Sequence, residues 1–306
     1  MRQILRQVAK KGRKMDFFWR YGFNFVPTIQ YRLDSLNNAE KASQKIIDDL
    51  NRNGIAISSV EECLGESETF SMLENSVDKI LKERSDEIKK IKSNANDLNA
   101  IGEKTFNVEL LGNPVTFDSE SIFARFALQE KFLNIANAYF GMIAKLRYYN
   151  VWKTFATQIE FRESQLWHFD REDNFILKVF LYLKDVDEGT GPFTYAPKTH
   201  PKGSLRAIEP QYFLEENVRR STDEQMSAVV PKENWIRATG KKGTLIFADT
   251  RGYHKGGEAR SDDRLMFTCM FTSSASESKR LINYPDNIKL TEFSKKQLKA
   301  LENHIH

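Results

Sequence analysis

The sequence predicts an α+β chain, mainly β with helices, in which a helical first half packs on a β-sandwich second half. Two observations carry this. Up to Gly141 the apolar residues recur at helical spacing; beyond it, segments are short, rich in β-branched or aromatic residues, and bounded by Gly, Pro, Asp or Thr. With 40% apolar and 12% aromatic residues the chain can build a sizeable core, which excludes a disordered, collagen-like or coiled-coil protein. Its 306 residues suffice for one large domain or two small ones. The division expected is a basic and aromatic N-terminal arm over 1–36, one domain over 37–280, and a C-terminal helix within 281–306.

The elements follow in order. Residues 38–53 read as a helix, because Ile46, Ile47 and Leu50 share a face and Asn53-Gly54 stops it. Residues 55–60 read as a short strand. Residues 68–92 read as one long helix whose apolar stripe runs through Leu73, Val77, Ile80, Leu81, Ile88 and Ile91, its charged remainder being a solvated face. A further helix over 119–140 carries Ile122, Phe123, Phe126, Phe132, Leu133, Ile135 and Phe140, with Gly141 placed to end it. Strands are expected at 142–150, 155–162, 175–183, 192–196, 244–248 and 264–272. A last helix begins near Ser294, where Ser294 and Gln297 have capping-box spacing.

Charge is uneven. The chain carries +4 overall, but residues 1–20 hold seven basic side chains against Asp16, a net of +6 that leaves the remainder at −2. That basic run, followed by Phe17, Phe18 and Trp19, suits contact with an anionic membrane surface or nucleic acid. An arm that packs its aromatics on the main domain is the commoner outcome, and a near-neutral body does not favour a nucleic-acid protein. No apolar run approaches the roughly 20 residues of a membrane span, and the opening residues do not read as a secretory signal. The expected compartment is cytoplasmic. Cys63 and Cys269 are 206 positions apart and form no close metal or redox pair; both are expected to be inert.

The chemistry centres on Trp167-His-Phe-Asp170. On extended backbone, side chains at i and i+2 leave the same face, so His168 and Asp170 can converge on one point. His254 lies just beyond the strand 244–248, where a loop can return it to the same place. Two imidazoles and one carboxylate leave three coordination positions open, as a non-haem iron(II) oxygenase requires. Zinc accepts the same ligands, with hydrolytic chemistry. Arg264 shifts the balance, because its guanidinium can grip the far carboxylate of a dicarboxylate whose near end chelates the metal. Strand parity sets Arg264 with Met266, Thr268 and Met270, opposite the apolar Leu265, Phe267, Cys269 and Phe271. Arg260, in a polar loop, is the weaker alternative clamp.

The run Trp167-His-Phe-Asp170, then 177–186, Gly191-Pro-Phe-Thr-Tyr-Ala-Pro197 with Thr199-His200, Gly243-Thr-Leu-Ile-Phe-Ala-Asp-Thr250 and His254 resembles the phytanoyl-CoA dioxygenase-like family of iron(II)- and 2-oxoglutarate-dependent oxygenases. The resemblance covers about residues 140–275. It implies a double-stranded β-helix, or jelly roll, with His168, Asp170 and His254 as metal ligands, Arg264 on 2-oxoglutarate, and dioxygen as co-reactant. Ala196-Pro-Lys-Thr-His200 departs from the family's common Pro-Gly-Ser-His. His200 is expected to be structural.

Lys178, inside an apolar run, wants an anion and is a candidate contact for the co-substrate, against a stem laid along the sheet with its amine in water. Tyr149 is a further candidate on a strand bordering the pocket, against plain core packing; Asn150 beside it is expected to satisfy the sheet edge. Trp152, Phe155, Trp167, Phe169 and Arg171 are candidate pocket residues. The activity implied is hydroxylation of a small organic molecule with release of succinate and carbon dioxide. A catalytically silent jelly-roll binding protein and a zinc hydrolase are the alternatives, and neither substrate nor oligomeric state is legible.

Overall fold

The computed structural model describes residues 16–37, 43–65, 68–95, 106–211, 213–215, 218–276 and 281–301. Among the described residues thirteen strands follow in chain order: β1 Ile55–Ser59, β2 Asn107–Glu109, β3 Val115–Thr116, β4 Lys145–Thr154, β5 Ile176–Tyr182, β6 Phe193–Tyr195, β7 Phe213–Glu215, β8 Val218–Arg220, β9 Ile236–Ala238, β10 Thr244–Ala248, β11 His254–Lys255, β12 Arg264–Thr272 and β13 Ile282–Asn283. Six of them form one antiparallel sheet in the order β1-β10-β5-β12-β4-β2. A smaller antiparallel sheet runs β11-β6-β9.

Side-chain alternation decides what each face of the large sheet touches. Tyr149, Val151, Leu181, Phe247, Phe267 and Cys269 join a core with Leu50, Leu73, Phe126, Phe132 and Phe140 of the helices. From the opposite face Phe180, Tyr182, Ile246 and Met266 pack with Phe193, Tyr195 and Ala238 of the small sheet. Helices therefore cover one side, and the small sheet covers the other.

Several expected elements stand where the sequence puts them. The helix Gln44–Asn53 ends on Gly54 at φ 81°, and β1 follows directly; residues 38–42 of the expected helix lie outside the described residues. Gly141, at φ 66°, ends the helix Glu130–Phe140. Ser294 and Gln297 form the reciprocal bonds of a capping box before Lys295–Leu301.

Other expectations need correction. The long helix over 68–92 breaks into Glu68–Glu83 and Ser85–Ser93. At the break, the Arg84 guanidinium donates to Glu87 at 2.8 and 2.6 Å and to Leu110 O at 2.6 Å, and a continuous apolar stripe carries no sign of such a tie. The helix over 119–140 is likewise two, Ile122–Ala127 and Glu130–Phe140, divided where Gln129 turns extended at ψ 128°. Residues 155–162 form no strand. The Phe155 and Thr157 amides donate to Phe106 O and Ala259 O, and the Arg260 side chain takes the carbonyls of Thr157 and Ile159, so no ladder partner is left for them.

The described part of the arm is helical, over Asp16–Phe18, Trp19–Phe23 and Phe25–Asn37. Trp19 is buried and donates to Ser273 Oγ, whereas Phe17 and Phe18 stand exposed. No helix among the described residues is long and apolar enough to cross a membrane.

Candidate metal centre

His168 sits in an extended stretch after the turn Glu163–Gln165, and His254 opens β11. Their backbones exchange two hydrogen bonds, His168 N–H to His254 O at 3.0 Å and His254 N–H to His168 O at 2.9 Å, which sets the rings 4.3 Å apart between centroids. Asp170 follows two positions on, its amide donating to Thr250 O at 2.8 Å. One ligand atom from each of His168, Asp170 and His254 lies within 4.8 Å of the other two. The i, i+2 spacing thus does what extended backbone requires, and the loop after β10 returns the third side chain.

The rings are prepared for a cation. His168 Nδ1 lies 2.8 Å from Leu166 O and His254 Nδ1 3.0 Å from Gly252 O, so each donates there and turns an unprotonated Nε2 inward. Burial holds both imidazoles below their ordinary range, with the neighbouring ring adding to this at His168 and Lys178 at His254. Neutral imidazole is the ligating form. Burial alone would raise the Asp170 carboxyl, but the Lys178 ammonium beside it outweighs this and holds the group ionised. Lys178 Nζ stands 2.6 Å from Asp170 Oδ2, and this pairing keeps the buried ammonium charged.

Arg264 lies in the same cavity, of about 370 Å³, together with His168, Asp170, His254 and Lys178. Its guanidinium is buried. Nη1 donates to Gly191 O, and Nη2 lies 3.4 Å from Thr154 Oγ1, while Nε has no partner. No carboxylate pairs with it among the described residues, and burial holds its pKa below the usual arginine value. A buried guanidinium supplied only with neutral oxygens carries a poorly compensated charge, which favours an anion beside it.

The remaining candidates divide. Met266, Thr268 and Met270 line the cavity with Arg264, as their parity demands, and so does Trp152. Tyr149 does not: it pairs with Cys269 on the helix-facing side, is buried in the core, and burial pushes its phenol up. The neighbouring Tyr148 faces the cavity instead, a parity error of one residue. Phe155 and Trp167 are core residues, and Arg171 lies over the Phe169 ring away from the cavity lining. Asn150 satisfies the edge through Leu111 N, Glu109 and Gly112 O. Arg260 is engaged by carbonyls, as above, and His200 Nε2 lies 3.3 Å from Asn51 O, apart from the cluster. The carboxylate of Asp173, three positions beyond Asp170, accepts from the amides of Asn174 and Ser273. Cys63 and Cys269 are buried thiols whose pKa burial raises.

Two residues outside the sequence-derived candidates, Glu109 and Arg220, also line the cavity. Arg220 ends a short hairpin with no periodic pattern, and its Nε is held by Glu163 O at 3.0 Å. Nothing in the sequence singles it out. Glu109 lies on an edge strand of three residues, too short to read.

The family described as phytanoyl-CoA dioxygenase (PhyH) matches residues 61–266. No curated protein matches the sequence. Among solved structures, EctD from S. alaskensis with 2-oxoglutarate and 5-hydroxyectoine is 16% identical, with a TM-score of 0.51 and 78% of each chain covered. The same enzyme with bound Fe gives 16% identity and a TM-score of 0.51, covering 79% of this chain and 80% of that one. AviO1 from Streptomyces viridochromogenes Tue57 is 15% identical, with a TM-score of 0.49 and 77% and 96% covered.

Proposed function

The chain belongs to the phytanoyl-CoA dioxygenase family, and on that premise we propose that it is an iron(II)- and 2-oxoglutarate-dependent dioxygenase with His168, Asp170 and His254 as its iron ligands. We read the two facing sheets as the double-stranded β-helix of such enzymes, a reading that the likeness to EctD supports. Iron(II) with 2-oxoglutarate and dioxygen supplies oxidative decarboxylation to succinate and carbon dioxide, coupled to oxidation of a substrate C–H bond. The remainder is the work of this chain's own side chains.

Leu166 O and Gly252 O fix the two rings, so the imidazoles need no rearrangement to ligate. Asp170 brings one negative charge, and Lys178 holds that carboxylate in place. Arg264 takes the distal carboxylate of 2-oxoglutarate, and Gly191 O and Thr154 Oγ1 orient its fork. Met266, Met270 and Phe180 keep that part of the cavity dry. Trp152, Tyr148 and Glu109 are left to meet a small organic substrate, whose hydroxylation is the expected outcome.

The single observation that carries the reading is the buried Arg264, unmatched by any described carboxylate, in one cavity with a His-Asp-His cluster. A zinc hydrolase would have no use for that guanidinium, and a silent binding protein would have no use for the prepared imidazoles. The test is succinate release from 2-oxoglutarate under dioxygen with iron(II). Wild type should form succinate, and His254→Ala should lose iron binding and fall at least a hundredfold. Unchanged succinate release in His254→Ala, or substrate hydrolysis with zinc and no 2-oxoglutarate, would overturn the assignment.

A further inference from the structure

Among the described residues eight large apolar side chains stand exposed, and six of them fall between Phe17 and Leu33. Phe17, Phe18, Phe25 and Val26 are 66%, 49%, 53% and 60% exposed. Isolated exposed apolar residues are ordinary, but a concentration of this kind marks a contact surface.

The segment is not a loose end. Its other face is tied down: Trp19 Nε1 donates to Ser273 Oγ at 3.1 Å, and Arg20 Nη1 to Phe140 O at 2.5 Å. Asn24 Oδ1 accepts from Ala275 N at 3.0 Å, and Pro27 O from Ile143 N at 3.1 Å. Trp19, Asn24 and Thr28 are buried by this docking. One side of the segment is therefore clamped to the end of β12 and to the helix Glu130–Phe140, and the aromatic side is turned outward.

The sequence that leads into the patch is strongly basic, with Asp16 its one acidic residue before Phe17. Residues 1–15, which run directly into it, carry Arg2, Arg6, Lys10, Lys11, Arg13 and Lys14 and no acidic residue, while the chain beyond residue 20 sums to −2. We propose that this face docks on an anionic lipid surface, with Phe17, Phe18, Phe25 and Val26 entering the boundary between headgroups and acyl chains and the basic run lying against the headgroups. Aromatic rings favour that depth, and basic residues add electrostatic attraction to anionic lipid. A second copy of the chain is a poorer occupant, because a two-fold pairing sets the two basic runs against each other. A nucleic acid would satisfy the charge but gain little from burying Val26. The proposal does not depend on the oxygenase reading.

The test is co-sedimentation of the full chain with vesicles of phosphatidylcholine alone and of phosphatidylcholine with one third phosphatidylserine. Two variants accompany wild type: Phe17→Ser/Phe25→Ser/Val26→Ser, which alters only exposed side chains, and Lys10→Gln/Lys11→Gln/Lys14→Gln. Each basic residue near an anionic surface strengthens binding by about fivefold, so the lysine variant should bind roughly 100-fold more weakly. Wild type should sediment with the phosphatidylserine vesicles and be released by salt, and the serine variant should remain in the supernatant with an unchanged melting temperature. Three results would overturn the proposal. They are equal binding to both vesicles, no binding to either, or a self-association in sedimentation velocity that the serine variant abolishes without any vesicle binding by wild type.

Discussion

Lys198 adopts φ 67°, a left-handed backbone that L side chains rarely take, in the turn where the resembling family commonly has glycine. It is held there because its amide donates to Asn53 O at 2.9 Å and its carbonyl accepts from Leu205 N at 2.9 Å. The conformation costs a non-glycine residue about 1 kcal/mol, and the greater freedom of glycine in the unfolded chain returns part of that. Lys198→Gly should therefore raise the melting temperature by about 1–2 °C without moving His200 or the metal site. A lower melting temperature would show that the lysine side chain contributes more than its backbone costs. At this scale the clustering of His168, Asp170 and His254 was legible and the place of Tyr149 was not. His168 and Asp170 declare themselves by two-residue spacing, whereas Tyr149 and Tyr148 differ only by the parity of a strand that is buried on both faces along most of its length.

Parity is informative at the level of the element when one face differs in chemistry from the other. On β12 the alternation of Arg264, Met266, Thr268 and Met270 with Leu265, Phe267, Cys269 and Phe271 reads correctly, because a guanidinium and a hydroxyl mark one side. The helix break at Arg84 and the irregular course of 155–162 depend on side-chain and loop bonds from distant residues, and local propensity carries none of that. The turn that holds Arg264 is similar. Gly191 sits at φ 75°, and a Cβ there would lie 2.4 Å from the Glu258 carbonyl carbon and 2.6 Å from the Ala259 nitrogen. Backbone cannot yield as a flexible side chain does, so Gly191→Ala should displace the carbonyl that accepts from Arg264. We expect a loss of at least 2 kcal/mol by the left-handed penalty and overpacking together, read by urea unfolding, with weakened 2-oxoglutarate binding. Full stability in that variant would show that the two loops can part without cost.

The layers of the molecule meet at one buried ion pair. Asp249, at the end of β10, accepts from Arg251 Nε at 2.8 Å and Nη2 at 2.5 Å and from the Tyr139 hydroxyl at 2.7 Å, and its carbonyl accepts from the Tyr195 hydroxyl at 2.7 Å. Arg251 also donates to Asn174 O. The helix Glu130–Phe140, both sheets and the loop leading to His254 are thereby fastened at one point. Burial alone would raise the Asp249 carboxyl, but Arg251 outweighs it and holds the group ionised. Removing one partner of such a pair costs about 3–5 kcal/mol, because the other charge stays buried. Asp249→Asn should lose that much in urea unfolding; a loss below about 1 kcal/mol would mean that water reaches Arg251.

Under the proposed function Arg264 is the receptor for the distal carboxylate of 2-oxoglutarate. The direct measurement is the dissociation constant of 2-oxoglutarate for the iron(II)-loaded protein, taken anaerobically by calorimetry for wild type, Arg264→Lys and Arg260→Lys. A charge-assisted hydrogen bond contributes about 1.5–3 kcal/mol, so Arg264→Lys should weaken binding roughly 10- to 150-fold while iron still binds. Arg260→Lys should leave the constant within about twofold, because its guanidinium serves the carbonyls of Thr157 and Ile159. Weakening by Arg260→Lys with an unaffected Arg264→Lys, or 2-oxoglutarate affinity unchanged in both, would contradict the account.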